Sequence, residues 1–290
     1  MPETCLSAEV ELLWDTRCVL GEGLTLDLAA AALWFIDIKR PTLYRYGLAD
    51  GARSSWPLAA QVSAIALPPT GWTPPPGRYE TALLSVGARG FAWLTIGEAV
   101  TLHPIAHPEA HLPGNRFNDG KAGPDGRFYA GTMDDAEQSA AGSLYALDLY
   151  GGLHTLDTGY WVTNGPAFSP DGRTLYENDS ALRRTHAFDI AADGSLPAKR
   201  VLIEFGDRDG YPDGMTTDAT GRLWIAMWDG ARLQRVSADG ERAGFIEVPA
   251  RRPTACVLTG AGEILFTAAA IGLADSTEPE GGLFRARFSG

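Results

Sequence analysis

Short runs rich in apolar residues, each entered by a turn, return along this chain at a regular interval. They are Ala32-Leu33-Trp34-Phe35-Ile36, Thr81-Ala82-Leu83-Leu84-Ser85, Gly126-Arg127-Phe128-Tyr129-Ala130, Gly172-Arg173-Thr174-Leu175-Tyr176, Gly221-Arg222-Leu223-Trp224-Ile225 and Gly262-Glu263-Ile264-Leu265-Phe266. Each is followed by a second such run, centred on Tyr44, Ala92, Tyr145, His186, Gln234 and Phe284 in turn. A period of two belongs to a strand with one face on a core, and two runs joined by a tight turn make a hairpin. Asp50-Gly51, Asp125-Gly126, Asp171-Gly172, Asp193-Gly194 and Asp239-Gly240 fall between or after the runs, where such turns need residues tolerant of positive φ. No segment keeps a 3.6-residue apolar period, so almost no helix is expected.

The interval predicts the fold class. Taking Leu33, Leu83, Phe128, Leu175, Leu223 and Ile264 as equivalent, successive copies lie 41 to 50 residues apart, the spacing of propeller blades. Six copies predict an all-β protein, a six-bladed β-propeller of four-stranded blades, with residues 1–290 forming a single domain. The apolar run Val10-Glu11-Leu12-Leu13-Trp14 has no partner nearby in sequence. Pairing it with the C-terminal blade would remove the exposed edges of an open array. Residues 68–77, rich in proline, read as a long hairpin loop in the second blade.

Composition narrows the setting. No apolar run approaches the roughly 20 residues of a membrane helix, and Met1-Pro2-Glu3-Thr4-Cys5 lacks the basic and apolar regions of a signal peptide. A soluble, cytoplasmic protein with no membrane partner is expected, with a monomer favoured. Cys5, Cys18 and Cys256 form neither a Cys-x-x-Cys pair nor a disulfide framework and read as reduced thiols. A formal charge of −12 and a pI near 4.8 argue against a nucleic-acid partner, which calls for a basic face.

Candidate chemistry sits in four polar corners: Leu20-Gly21-Glu22-Gly23, Asn115-Arg116-Phe117-Asn118-Asp119-Gly120-Lys121, Thr163-Asn164-Gly165-Pro166 and Tyr211-Pro212-Asp213-Gly214. Glu22, Asn118, Asn164 and Asp213 are separated by about two, one and one repeat lengths, so each is expected to precede an inner strand and all four to ring one axis. Two carboxylates and two amide oxygens are hard donors, suited to calcium, magnesium or manganese, or to the borderline zinc or iron(II). They leave positions open for water and substrate, as catalytic rather than structural metals require. His103, His107 and His111 are spaced by four, but Pro104, Pro108 and Pro113 interrupt any helix that could align them, and a surface loop is expected. Asp207 and Asp209-Gly210 lack the flanking helices of a calcium loop and read as a blade connection. Trp161, beside Asn164, and Trp228 are candidates for a pocket wall.

Taken together, Asn115-Arg116-Phe117-Asn118-Asp119-Gly120-Lys121 with Gly131-Thr132-Met133, Leu20-Gly21-Glu22-Gly23, Trp34-Phe35-Ile36-Asp37-Ile38, Asn164-Gly165-Pro166 and Pro212-Asp213-Gly214-Met215 resemble the regucalcin, gluconolactonase and bacterial sugar-lactonase family over nearly the whole chain. The resemblance implies a six-bladed propeller with one divalent cation, held by Glu22, Asn164 and Asp213, and a substrate-facing pair, Arg116 and Asn118. It also implies a substrate-contacting acid within Asp134-Asp135-Ala136-Glu137, so Asp134 and Asp135 join the substrate-binding candidates. Where many bacterial members follow the glutamate with Gly-Pro and an aromatic residue, this chain has Gly23-Leu24-Thr25-Leu26.

The function expected from these residues is metal-dependent opening of a sugar-derived lactone, such as a xylono-, arabino-, galactono- or gluconolactone, to its aldonic acid. Asp213 is the candidate catalytic base, with a hydroxide on the cation as the other route. Two other functions remain open at this level: a calcium-binding regulator of regucalcin type with little turnover, and a hydrolase of other esters such as organophosphates.

Overall fold

The computed structural model describes residues 3–260, 262–273 and 279–289. Met1, Pro2 and Gly290, the ends of the expected 1–290 domain, lie outside the described residues. Every regular element among the described residues is a β-strand, and the strands form six four-stranded antiparallel sheets, the blades of a six-bladed β-propeller. No helix among them is long and apolar enough to cross a membrane. The hairpins form between the paired runs, with Leu33 opposite Tyr46, Phe128 opposite Leu147, and Ile264 opposite Ala286. At Gly51, Gly126, Gly172, Gly194 and Gly240, the glycines of the five Asp-Gly turns, φ is positive, from 68° at Gly51 to 86° at Gly240.

The apolar-rich runs that set the repeat are the second strand of each blade. The first strands are Gly21–Asp27, Val62–Ala66, Asn115–Ala122, Thr163–Phe168, Tyr211–Thr217 and Pro253–Gly260. These carry the polar corners within them, whereas the repeat alone placed the corners ahead of the inner strands. Several hide because Gly, Asn, Asp and Pro interrupt the apolar run, as in Thr163-Asn164-Gly165-Pro166 and Tyr211-Pro212-Asp213-Gly214, and so read as turns. Register also slips within four of them, at Val62/Ala64, Phe117/Asp119, Pro212/Met215 and Pro253/Cys256. Such bulges re-aim side chains and cluster beside functional sites; Asn118 and Asp213 lie in two of them.

The chain forms two compact units, Met1–Glu22 with Asn164–Gly290, and Gly23–Thr163. In the first, Ala8–Trp14 is the fourth strand of the last blade and pairs with Leu283–Phe288, Val10 opposite Ala286 and Leu12 opposite Phe284, as the sequence predicts. Its core packs Trp224, Ile264, Phe266 and Phe284 between neighbouring blades. In the second unit, Phe91 meets Phe117 at 4.8 Å and Phe128 at 5.8 Å, both edge to face. Burying each such ring stabilises by roughly 1.5–3 kcal/mol. Phe117 lies between Arg116 and Asn118, so this contact fixes the strand that carries them. The proline-rich loop sits between Val62–Ala66 and Thr81–Gly87, where Trp72 donates to the Gly126 carbonyl at 2.8 Å and packs on Trp93.

Candidate functional site

Glu22, Asn164 and Asp213 belong to the same compact unit and are buried, with exposures of 5, 6 and 6%. Their backbones follow one another in contact. Gly165 has a φ of 55°, and a Cβ there would meet the Asp213 carbonyl oxygen at 2.7 Å, so glycine is needed both for the conformation and for the approach of the next strand. Gly214 in turn faces the Thr254 carbonyl, 2.7 Å from where a Cβ would be. The Thr254 hydroxyl donates to the carbonyl of Gly21, the residue before Glu22. Asn164, Asp213, Thr254 and Glu22 thereby lie on successive first strands.

Side chains pin the peptides beside these residues. Asn164 Nδ2 donates to Ser180 Oγ at 2.8 Å, and Ser180 Oγ donates to the Pro212 carbonyl at 2.6 Å. Asn178 Nδ2 donates to the Asp213 carbonyl at 2.6 Å, while its Oδ1 accepts from Thr185 Oγ1 at 2.6 Å. With Nδ2 of Asn164 committed to Ser180, the end of the amide turned away from Ser180 is Oδ1, a neutral oxygen donor. Two buried carboxylates and an oriented amide oxygen fit a hard divalent cation. Among the described residues no three His, Cys, Asp or Glu side chains gather as a metal-holding group; the candidate set here is two carboxylates and an amide.

The other candidates lie in the second unit. Arg116 is 8% exposed and held on two sides: Nε donates to Asp135 Oδ1 at 2.5 Å, and Nη1 to Asn118 Oδ1 at 2.6 Å and the Phe117 carbonyl at 3.1 Å. Asn118 is oriented by its own bond from Nδ2 to the Thr163 carbonyl, 2.8 Å. Three of the five guanidinium N–H groups are thus spent, and among the described residues Nη2 makes no hydrogen bond. A rigidly held guanidinium with one nitrogen uncommitted is suited to a substrate oxygen.

The two neighbouring acids do different things. Asp134 ties up its own loop, accepting from the Ala136 and Gln138 amides, each at 3.1 Å, and from Ser139 Oγ at 3.0 Å; these bonds, the Ala136 amide foremost, lower its pKa. Asp135 faces Arg116 and, at 3.5 Å, Lys39 Nζ. Partial burial pushes its pKa up, but the bond to Arg116 and the two positive charges outweigh that and leave it lowered.

Four residues of this machinery were not anticipated from sequence: Ser180, Asn178, Thr254 and Glu109. Thr254 had a signal, since it stands one repeat length after Asp213 at the corresponding position. Ser180 and Asn178 had a weaker one, the polar run Glu177-Asn178-Asp179-Ser180 ending a strand whose interior is buried. Glu109 had none. It is 4% exposed and collects Thr132 Oγ1, Tyr145 OH and Asn115 Nδ2, each at 2.9 Å, and burial together with this bond pushes Tyr145 up to about 12. Of the weaker candidates, Asp209 is consumed by the Gly206 amide and Arg242, and the Arg252 guanidinium covers Trp228 at 4.8 Å. His103 lies on the outer strand Val100–Ala106, where its Nε2 meets Thr95 Oγ1 at 3.0 Å.

Comparison with known proteins shows the family of the chain. The family described as SMP-30/Gluconolactonase/LRE-like region matches residues 20–270. The L-arabinolactonase of Azospirillum brasilense is 32% identical over 289 residues, covering 97% of this chain and 92% of that protein. The pentonolactonase of Haloferax volcanii is 29% identical over 269 residues, covering 92% and 87%. The solved structure of a calcium-binding protein, regucalcin, from Agrobacterium tumefaciens superposes with a TM-score of 0.87 at 29% identity, covering 98% of this chain and 95% of that one. The chain belongs to the SMP-30/gluconolactonase/LRE-like family.

Proposed function

We propose that this protein hydrolyses a sugar-derived lactone to its aldonic acid, and that Glu22, Asn164 and Asp213 hold a divalent cation for the reaction. The observation that carries the reading is the buried set of two carboxylates and an amide oxygen in a chain whose relatives include an arabinolactonase and a pentonolactonase. Those two names favour a five-carbon lactone. A cation bound there supplies Lewis-acid polarisation of the lactone carbonyl. Asp213 takes the proton of the attacking water on a carboxylate oxygen and returns it to the ring oxygen as the C–O bond of the lactone breaks. Arg116 donates from Nη2 to a substrate oxygen, and Asn118 completes the substrate-facing pair while fixing the guanidinium plane; both act by orientation. Asp135 is the acid beside that pair, and Asp134 shapes the loop that presents it.

The likeness to a calcium-binding regucalcin supports a second reading, a calcium-binding protein with little turnover. Acid release separates the two. Steady proton release from L-arabinono-, D-xylono- and D-gluconolactone, abolished by a chelator and restored by a divalent cation, is expected of the lactonase. Tight calcium binding with no release above the spontaneous rate from any of these lactones would establish the regulator instead.

A further inference from the structure

We propose that Ser180 is a positioning residue that selects the cation-binding orientation of Asn164 and sets the peptide entering Asp213. The inference rests on the reading above that Glu22, Asn164 and Asp213 hold the cation. A carboxamide has two nearly isosteric ends of opposite character. Rotated by half a turn, Asn164 would present an NH2 group where the cation needs an oxygen, and nothing in the shape of the side chain prevents it. A partner that accepts but does not donate discriminates between the two ends.

Ser180 Oγ has become such a partner. A hydroxyl carries one proton, and at Ser180 that proton goes to the Pro212 carbonyl, 2.6 Å away. Only lone pairs then remain for Asn164, 2.8 Å distant, so Ser180 can receive Nδ2 and cannot donate to Oδ1. Pro212 helps from its own side. It immediately precedes Asp213, and pinning its carbonyl fixes one end of the peptide that aims the Asp213 carboxylate. Asn178 pins the Asp213 carbonyl itself. One buried hydroxyl, 8% exposed, therefore acts on two of the three proposed cation donors, as partners behind a ligand generally do.

Calcium and manganese titrations of the chelator-stripped full-length chain by isothermal calorimetry test this, with the metal-free melting temperature measured alongside. Ser180→Ala is expected to weaken cation binding about 10- to 100-fold. Ser180→Thr, which keeps the hydroxyl, should stay within about threefold of the unsubstituted protein, well inside that loss. Ser180→Cys is nearly isosteric but a poor acceptor and should shift in the same direction as Ser180→Ala, keeping the test available if the alanine variant does not fold. The decisive comparison is made in an Asn164→Asp background, where the two carboxylate oxygens are equivalent and no orientation has to be selected. There, adding Ser180→Ala should cost about threefold or less, well below the loss expected with Asn164 in place. An equal loss in both backgrounds would reduce Ser180 to a packing role and overturn the proposal. Unchanged affinity in Ser180→Ala and Ser180→Cys would overturn it as well. Absence of any cation binding by the unsubstituted chain would overturn the cation reading itself.

Discussion

Glu109 offers a stability test whose size follows from the bonds it collects. Replacing it with alanine removes a carboxylate that accepts three buried or half-buried donors, but the three donors fare differently. Thr132 Oγ1 still has the Ser143 carbonyl at 3.2 Å, and Asn115 Nδ2 still reaches the Ala141 carbonyl at 3.0 Å with its other hydrogen. Tyr145 loses its carboxylate acceptor outright. A hydrogen bond to a charged group is worth about 1.5–3 kcal/mol, and a stranded buried donor costs about 1–3. One full loss, one half loss and the space left by the side chain add to about 3–5 kcal/mol, roughly a fifth or more of a typical domain's stability. Glu109→Gln discriminates further. Its Oε1 can still accept from Thr132 and Tyr145, but its NH2 would face the Asn115 NH2 at the present 2.9 Å separation, so one bond is lost, about 1–2 kcal/mol. Urea unfolding midpoints of the three proteins measure both values. An alanine variant within 1 kcal/mol of the parent, or a glutamine variant as costly as alanine, would refute the view that this carboxylate is the anchor of the Asn115–Arg116 strand.

Three further outcomes are expected. Glu22→Gln should weaken cation binding yet regain activity at high cation concentration, because a neutral oxygen remains, whereas Asp213→Asn should stay inactive at saturation, having lost its proton acceptor; kinetics of both across a cation titration decide this, and a normal rate for saturated Asp213→Asn removes it as the base. Arg116→Ala should reduce kcat/KM by about 10²–10³, the equivalent of about 3–4 kcal/mol of lost orientation, with cation affinity nearly unchanged in a parallel calorimetric titration; equal loss of both places Arg116 in the fold or the cation set. Acid sensitivity follows from carboxylates held low in the native state. At Asp209 burial pushes the pKa up, but Arg242 and the Gly206 amide outweigh it, and at Glu263 the Thr259 hydroxyl lowers it first and Arg287 adds to this. A depressed native pKa contributes stability that is complete above the unfolded value and disappears as pH falls through the native one. Urea midpoints should therefore hold level above the ordinary carboxylate values of 3.8 and 4.5 and fall below them, less steeply in Asp209→Asn.

How far the chain could be read without its structure depended on whether a position's role was periodic. Leu33, Leu83, Phe128, Leu175, Leu223 and Ile264 sit on strands that repeat both in sequence and in burial, so six blades followed from spacing, and the pairing of Val10 with the last of them from an apolar run with no partner nearby in sequence. The shared place of Glu22, Asn164 and Asp213 on first strands was legible for the same reason, because a repeat converts equal spacing into equal place. Thr254 obeys that rule too and was passed over because a lone threonine in an apolar strand carries no chemical signal of its own. Ser180, Asn178 and Glu109 are different. Their importance lies in the direction of a proton, from Ser180 to Pro212, from Asn178 to Asp213, or from Tyr145 to Glu109, and each bond spans a sequence separation of 32 to 36 residues. No local pattern encodes a bond of that kind. The acids at 134 and 135 make the same point at close range: adjacent and chemically identical, they are separated only by geometry, one spent on its own loop and the other on Arg116. A repeat can therefore announce which positions face a site, but the polarity of the groups standing behind them decides which atom of each side chain is presented, and only the folded arrangement of donors and acceptors contains that choice.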